Sequence, residues 1–226
     1  MMLPSTALDA LSAPARDFAE RAKSRLSQTP PDQLDAAVSL DELASQYGDH
    51  RMAADIATVL ADKPFRAAAV LIPVIAHERP AFLLTQRSGD LSSHSGQVAF
   101  PGGRIDEGDA DPAAAAIRES EEEIGLRRES VSTLGYLDPY LSGTGFRIVP
   151  VVALVMPGFK LTLNPREVTD AFEVPLDFLM SPDHHARHSR EWKGVTRSYY
   201  AMPYGERYIW GVTAGIIRRL YERLYA

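Results

Sequence analysis

The spacing of apolar residues divides the chain into two parts. Up to about residue 65 the pattern is helical: Phe18, Ala22 and Leu26 recur on one helix face, and Pro14 is suited to open that helix. From Arg66 onward, short apolar runs rich in branched residues alternate with turns, which is typical of strands. We therefore predict an N-terminal helical extension over residues 1–65 and one main domain over residues 66–226.

The N-terminal extension contains no recognisable catalytic motif. Shorter helices are predicted at residues 34–38, 41–47 and 52–60. We expect the extension to be somewhat detached from the main domain. Three roles remain open for it: a cap, a dimerisation element of a homodimer, or a mobile arm.

The main domain shows strands and helices that alternate without a regular βαβ rhythm. Strands are predicted at residues 67–75, 81–85, 97–100, 131–137, 146–155 and 160–163, and helices at 112–124, 175–180 and 213–225. The polar stretch 181–197 is predicted to be loop, and residues 198–203 and 208–210 are expected to pair. This order predicts an α+β fold with a mixed sheet.

Composition narrows the class of protein. The formal net charge of −6 over 226 residues argues against nucleic acid and against an anionic membrane surface as partners. The chain has no cysteine, which excludes disulfides, thiolate metal sites and cysteine nucleophiles and makes a reducing cytoplasm the simplest location. No apolar run approaches the ~20 residues that span a bilayer. An acidic protein that binds phosphate must neutralise it locally, with metal ions or a few placed cations.

The helix predicted at residues 112–124 carries three carboxylates on one face. Glu119, Glu122 and Glu123 occupy positions i, i+3 and i+4, where like charges repel. They also lie in the last turn, where the helix dipole disfavours negative charge. A hard cation such as Mg²⁺ or Mn²⁺ would reverse the sign of both effects. The alternative is an ordinary solvated acidic face, which the Gly102-Gly103 turn just before the helix disfavours because it lets a main-chain carbonyl approach an ion.

From Gly103 to Leu126 the chain resembles the Nudix box, the signature of hydrolases that act on nucleoside diphosphates linked to another moiety. Two positions depart from the box. Asp109 stands for its first glutamate, with eight rather than seven residues before Arg118, and Ser120 takes an aliphatic position. The catalytic half, Arg-Glu-x-x-Glu-Glu, is intact. The resemblance implies an α/β/α sandwich with a mixed sheet between helices.

The resemblance also implies a set of site residues. Mg²⁺ or Mn²⁺ ions would bind Glu119, Glu122, Glu123 and the carbonyl of Gly103, with Arg118 beside them. The general base varies within the family. Glu167, which follows a turn-forming Asn-Pro pair, is our first candidate for the base, and Glu119 is the second.

Upstream of the box, the chain resembles the coenzyme A pyrophosphatase branch of the family. Two segments carry this likeness: Leu-Leu-Thr-Gln-Arg-Ser at residues 83–88 and Gly-Gln-Val-Ala-Phe-Pro-Gly-Gly at residues 96–103. The likeness implies coenzyme A as substrate and nominates as substrate-binding residues Arg87, Ser88, His94, Gly96 and Gln97. One departure matters, because the arginine expected two residues before His94 is Ser92. Either another basic residue, such as Arg87, replaces its anion contact, or the substrate preference differs.

Three other interpretations stay open. The chain could be a Nudix hydrolase for another substrate, such as ADP-ribose or a dinucleotide. It could be a non-catalytic Nudix domain that senses a ligand, although no box glutamate is lost. Finally, His184, His185 and His188 include an i, i+4 pair that could bind zinc, but no motif carboxylate accompanies them and we expect a polar surface there.

Overall fold

The computed structural model describes residues 10–90, 95–192 and 194–226. Within these residues the helices are α1 (Ala13–Arg25), α2 (Leu40–Leu43), α3 (Ala54–Leu60), α4 (Pro112–Ile124), α5 (Leu176–Leu179) and α6 (Gly211–Leu224). The strands are β1 (Tyr47–Gly48), β2 (Arg66–Ile75), β3 (Ala81–Arg87), β4 (Val98–Ala99), β5 (Gly102–Arg104), β6 (Val131–Tyr136), β7 (Tyr140–Leu141), β8 (Phe146–Val155), β9 (Val168–Pro175), β10 (Ala186–Trp192), β11 (Val195–Tyr204) and β12 (Arg207–Trp210). No helix among these residues is both long and apolar enough to cross a bilayer.

The main sheet is mixed, as predicted. Its centre is the parallel pair β2 and β8, which run side by side from Arg66 opposite Phe146 to Ile75 opposite Val155. Strands β3 and β6 extend the sheet in antiparallel fashion on either side. In the described part of the chain this sheet has nine strands, and β10, β11 and β12 form a separate three-stranded sheet.

The buried side chains of β2 alternate between two clusters, which shows that both faces of the main sheet are covered. Ile72 and Val74 belong to one buried cluster, with residues of α1 and α6. Leu71 and Ile75 belong to a second cluster, which packs under α4. Since successive strand side chains point to opposite faces, the sheet lies between two helical layers. The predicted α/β/α sandwich is confirmed.

The N-terminal extension is not detached, so that expectation was wrong for its described residues. Phe18 of α1 is fully buried, and its ring meets the ring of Phe82 edge-on with 6.3 Å between centroids. Further along, the carboxylate of Asp49 accepts hydrogen bonds from the Tyr140 hydroxyl at 2.9 Å and the Gly143 amide at 2.7 Å. The apolar face of α1 was visible in the sequence, but its long-range partners were not.

Two short predicted elements are absent for identifiable reasons. Residues 34–38 form no helix, because the carbonyls of Gln33 and Ala36 accept hydrogen bonds from the buried guanidinium of Arg147. Residues 160–163 form no strand. The amide of Thr162 instead donates to the carbonyl of Ile124, at the C-terminal end of α4. The apolar residues that suggested a strand, Leu161 and Leu163, are partly buried against the cluster under α4.

Residues 181–197 also differ from the prediction, which was a loop. Most of this stretch is β10 and the start of β11, an antiparallel hairpin. Gly194, with φ of +78°, lies at its turn. Most residues of β10 are polar and exposed, as is common in edge strands. The strand therefore lacks the apolar alternation from which a strand is predicted. The pairing expected between residues 198–203 and 208–210 is confirmed by β11 and β12.

Candidate active site

Local chemistry fixes both ends of α4, and the predicted helix at residues 112–124 is confirmed. The side chain of Asp111 accepts a hydrogen bond from the amide of Ala114 at 2.7 Å, and Pro112 is the first helical residue. At the other end Gly125 adopts a left-handed conformation with φ of +70° and donates to the carbonyl of Glu121. The ends of the helix that carries the glutamates are therefore determined by its own sequence.

Ser120, which departs from the box, causes no defect in α4. It is fully buried, and its hydroxyl donates to the carbonyl of Ala116 at 2.6 Å, one turn earlier. The polar group is thus satisfied inside the helix. The substitution leaves the neighbouring glutamates where the box requires them.

The three glutamates differ in their surroundings. Glu123 is buried, and its carboxylate accepts a hydrogen bond from the amide of Gly102 at 3.1 Å. The carboxylate of Glu119 lies directly against Gly103, where an added Cβ would come within 2.5 Å of its carboxyl carbon. Glu122 points outward, with 55% of its side chain exposed. Two carboxylates therefore face the glycine turn and the third flanks it.

Burial and mutual repulsion perturb the two inward carboxylates. Desolvation raises the pKa of Glu123 to about 7, and the charges of Glu119 and Glu167 act in the same direction. Desolvation also raises the pKa of Glu119, although its hydrogen bond with Arg118 opposes the shift. A carboxylate cluster that is desolvated and mutually repelling is well suited to a divalent cation, whose charge inverts these effects.

The donor set therefore fits Mg²⁺ or Mn²⁺ chemically. Oxygen ligands dominate, as these cations require, and the lack of a side chain at Gly103 lets the carboxylate of Glu119 lie directly against the main chain. Within the described residues, no three carboxylates or histidines are already drawn together as a complete ligand set. The metal assignment to these residues remains a prediction.

Arg118 organises the base of the site. Its guanidinium donates to Asp109 at 2.9 and 3.0 Å, to Glu119 at 2.9 Å and to the carbonyl of Arg104 at 3.1 Å. The hydrogen bond from Arg118 lowers the pKa of Asp109, which keeps that carboxylate ionised. Asp109 in place of the box glutamate thus preserves a link between the loop and the helix.

Glu167 reaches the site from a separate loop. Its carboxylate accepts a hydrogen bond from the Asn164 side-chain amide at 2.8 Å, while its carbonyl accepts one from the amide of Ser88. The backbone amide of Asn164 donates to the backbone carbonyl of Glu123 at 2.9 Å. Residues 160–164 therefore anchor this loop to the end of α4. Sequence analysis missed this function of the segment, which depends on contacts that are distant along the chain.

Arg87 is a cation placed directly beside the carboxylates. Its Nη1 atom lies 3.6 Å from Glu123, and its Nε atom finds no hydrogen-bond partner among the described residues although it is buried. An unsatisfied buried donor of this kind calls for a ligand or water. Arg87 lines a cavity of about 240 Å³ together with Gln97, Gly103 and Trp210.

The remaining predicted substrate residues have varied positions. Ser88 is buried, and its hydroxyl accepts a hydrogen bond from the amide of Asp90, so it stabilises the loop. Gly96 is exposed and has φ of +66°, a conformation that favours glycine. His94, like Ser92, lies outside the described residues. Their roles in substrate binding remain predictions.

The three C-terminal histidines are held by separate contacts. His185 is buried with a ring nitrogen 2.8 Å from the carbonyl of Leu179, so the expectation of a polar surface was wrong for it. The ring of His184 stacks on Phe178, and that of His188 lies near Tyr199 and Tyr208. Each of the three rings therefore has its own set of partners.

Comparison with known proteins places the chain in a family. A sequence profile described as the NUDIX domain matches residues 64–193. The chain belongs to the Nudix hydrolase family. It is 43% identical over 155 residues to a protein of Citrobacter koseri called uncharacterized Nudix hydrolase NudL, covering 69% of this chain and 81% of that protein. A protein of the same name from Escherichia coli K12 is 41% identical over the same coverage.

Solved structures give a more distant likeness. The Ap4A hydrolase of C. elegans is 22% identical with a TM-score of 0.42, covering 49% of this chain and 80% of that one. The NUDIX domain of Shewanella oneidensis NrtR, solved with ADP ribose, is 21% identical with a TM-score of 0.41, covering 51% and 75%. Family membership makes the chain a Nudix pyrophosphohydrolase acting on nucleoside diphosphate derivatives. Arg87 and Gly103 line a cavity of this chain, and Arg87 lies beside the carboxylate of Glu123.

Proposed function

We propose that this Nudix hydrolase cleaves the diphosphate bond of coenzyme A or acyl-coenzyme A. The products are 4′-phosphopantetheine, or its acyl derivative, and adenosine 3′,5′-bisphosphate. The observation that carries the proposal is the convergence of the two coenzyme A-type segments on the glutamates of α4. Arg87 from the first segment and Gln97 from the second line the same cavity as Gly103, and Arg87 lies beside Glu123.

The chain's own residues divide the work of the reaction. Glu119, Glu122, Glu123 and the carbonyl of Gly103 would hold Mg²⁺ or Mn²⁺, which supplies charge neutralisation and a water of lowered pKa when bound. Arg87, whose Nη1 atom lies 3.6 Å from Glu123, offers a guanidinium to the diphosphate.

Proton transfer is assigned to the Glu167 loop. Asn164 orients the carboxylate of Glu167, which accepts the proton of the water as its oxygen attacks phosphorus and the bridging oxygen leaves in line. Glu119 is the alternative base. Arg118 acts as a positioning residue, because it fixes both Glu119 and the loop at Asp109.

The test is a substrate panel with purified full-length protein and Mg²⁺ or Mn²⁺. Coenzyme A, acetyl-coenzyme A, ADP-ribose and a diadenosine polyphosphate are compared by kcat/KM, with products identified by mass. We expect coenzyme A or its acyl derivative to be the best substrate. If ADP-ribose or the dinucleotide were turned over about a hundredfold better, a difference of about 2.7 kcal/mol in transition-state binding, the proposal would be overturned.

Two variants show that any turnover belongs to this site. Glu122→Gln is expected to reduce turnover by at least ~10²-fold, since each ligand supports charge that develops in the transition state. Glu121→Gln is the matched control, because Glu121 is exposed on the same helix turn and is not among the residues proposed to bind the metal. Equal rates in the two variants would contradict the assignment of the catalytic face. A complete absence of turnover in the wild type would favour the ligand-sensing alternative.

A further inference from the structure

A second cavity adjoins the active site. It has a volume of about 320 Å³, and we call it the hairpin pocket, defined by Met52, Ile56, Arg190, Arg197, Tyr199 and Trp210. Four residues, Gln97, Thr144, Trp210 and Val212, line both this pocket and the cavity at Arg87. The two cavities are therefore neighbours, and a long substrate held at the carboxylates can extend from one into the other.

The small sheet provides a wall of the pocket that is both aromatic and basic. Met202 and Ile209 are fully buried on one face of this sheet. By strand alternation, Arg197, Tyr199 and Trp210 lie on the opposite face, and all three line the pocket. The rings of Tyr199 and Trp210 are 5.4 Å apart. Aromatic rings exposed in a cavity provide a surface on which a nucleobase can stack.

The two arginines of this wall are direct neighbours. Arg190 of β10 lies opposite Arg197 of β11 in the strand register, and both line the pocket. Like charges directly opposite each other destabilise a sheet. The carboxylate of Asp55 pairs with Arg197 and offsets part of this repulsion. A phosphate group bound between the guanidinium groups would offset it further, since arginine matches phosphate geometry.

The facing wall comes from the N-terminal extension. The carbonyl of Met52 accepts a hydrogen bond from the amide of Ser198 at 3.1 Å, which joins this segment to β11. Met52 and Ile56 give this side an apolar surface. The nearby acidic group, Asp49, is already engaged with Tyr140 and Gly143. Apolar side chains and aromatic rings in the same pocket suit a flat base, and the two arginines that line this pocket carry the charge that attracts its phosphate.

We propose that the hairpin pocket binds the nucleoside phosphate end of the substrate, with the base against Tyr199 and Trp210 and a phosphate on Arg190 and Arg197. The choice of coenzyme A as the probe rests on the proposed function, because its adenosine carries an additional 3′-phosphate. The arginines of the hairpin then supply the anion contact that Ser92 cannot make. The N-terminal extension has a defined role as the second wall of this subsite.

The experiment compares coenzyme A with dephospho-coenzyme A, which lacks only the 3′-phosphate. Arg190→Ala is expected to lower kcat/KM for coenzyme A by about tenfold or more, the loss of one hydrogen bond to a charged group, and to leave dephospho-coenzyme A unchanged. Arg187→Ala is the matched control. Arg187 is exposed on the same strand, three residues away and on the opposite face, and is expected to leave both substrates unchanged.

Tyr199→Leu tests the base-binding part separately. It is expected to lower kcat/KM for both substrates by about tenfold, because both carry the same adenine. The proposal would be overturned if Arg190→Ala lowered kcat/KM equally for the two substrates. It would also be overturned if kcat/KM for coenzyme A were unchanged in Arg190→Ala or in Tyr199→Leu. A loss that instead grew with acyl-chain length would place the acyl end in the pocket and overturn it as well.

A binding measurement separates failure of this proposal from failure of the proposed function. Isothermal titration of the full-length protein with adenosine 3′,5′-bisphosphate and with adenosine 5′-monophosphate requires no turnover. We expect the bisphosphate to bind more tightly in the wild type and to lose about tenfold in affinity in Arg190→Ala. If coenzyme A were not hydrolysed but this preference held, the proposed function would fail and the subsite would stand. If coenzyme A were hydrolysed without this preference, the subsite would fail.

Discussion

Glu123 is expected to destabilise the metal-free protein at neutral and alkaline pH. Burial raises its pKa to about 7 from an ordinary value of 4.5. At acid pH, below the ordinary value, the carboxyl is protonated in both the folded and unfolded states and has no effect. As pH rises toward 7 the unfolded chain ionises first, so the free energy of unfolding falls, and above the folded pKa the loss is complete. The difference corresponds to about 3 kcal/mol.

Glu123→Gln removes this penalty while keeping an oxygen to accept the hydrogen bond from Gly102. In EDTA, the variant is expected to be more stable than the wild type by up to about 3 kcal/mol at about pH 8, and by much less at about pH 5. Urea denaturation across this pH range measures the difference. Glu121→Gln, on the exposed side of α4, is the control and is expected to change stability by less than about 0.5 kcal/mol.

Added Mn²⁺ should reverse the order of stability. A cation that binds only the folded state raises its stability by an amount that grows with the logarithm of its affinity, and the wild type retains the anionic oxygen that the variant lacks. A Glu123→Gln protein less stable than the wild type in EDTA at about pH 8, or a difference that does not vary with pH, would refute the reasoning. Such a result would mean that the desolvation of Glu123 is already compensated within the protein.

Three further predictions concern the supports of the site. Phe18→Ala is expected to lower the free energy of unfolding by about 3–5 kcal/mol in urea denaturation, and a loss below about 1 kcal/mol would mean that α1 is dispensable. Gly103→Ala places a Cβ against the carboxylate of Glu119 and should reduce kcat about 10²-fold, with an unchanged circular dichroism spectrum. Arg118→Gln removes the guanidinium that holds Asp109 and Glu119, and should lower Mn²⁺ affinity or activity by about 10- to 100-fold. Unchanged curves in a titration with Mn²⁺ would count against the positioning role of Arg118.

The acidic helix was predictable because its determinants are local. Asp111, Pro112 and Gly125 specify the two ends of α4 within the helix sequence and its immediate neighbours. The spacing of the glutamates then fixes which of them share a face, and the salt bridge from Arg118 to Asp109 spans only nine residues. Short-range chemistry of this kind is readable from sequence without knowledge of the tertiary structure.

Most failures of prediction involve partners that are distant in the chain. Residues 160–163 have a strand-like pattern but lie against the end of α4, through the hydrogen bond between Thr162 and Ile124. The helix at Phe18 was predicted, yet its packing against Phe82 was not. Pattern and propensity do not identify contacts of this range. Arg190 and Arg197 are close in the chain but belong to no recognised motif, and their pairing was missed because the hairpin that places them opposite each other was predicted to be loop.

The fold brings like charges together in two places, the carboxylates of α4 and the arginines of the hairpin. At one end, Glu119 and Glu123 are desolvated near further carboxylates, and caps, Arg118 and the Gly102 amide hold them there. At the other end, two arginines face each other across adjacent strands. Stable proteins keep such conflicts mainly where a ligand relieves them. We propose that a cation relieves the first conflict and an anion the second. A metal-bound diphosphate whose nucleoside carries a further phosphate would then provide both, in two cavities that share lining residues.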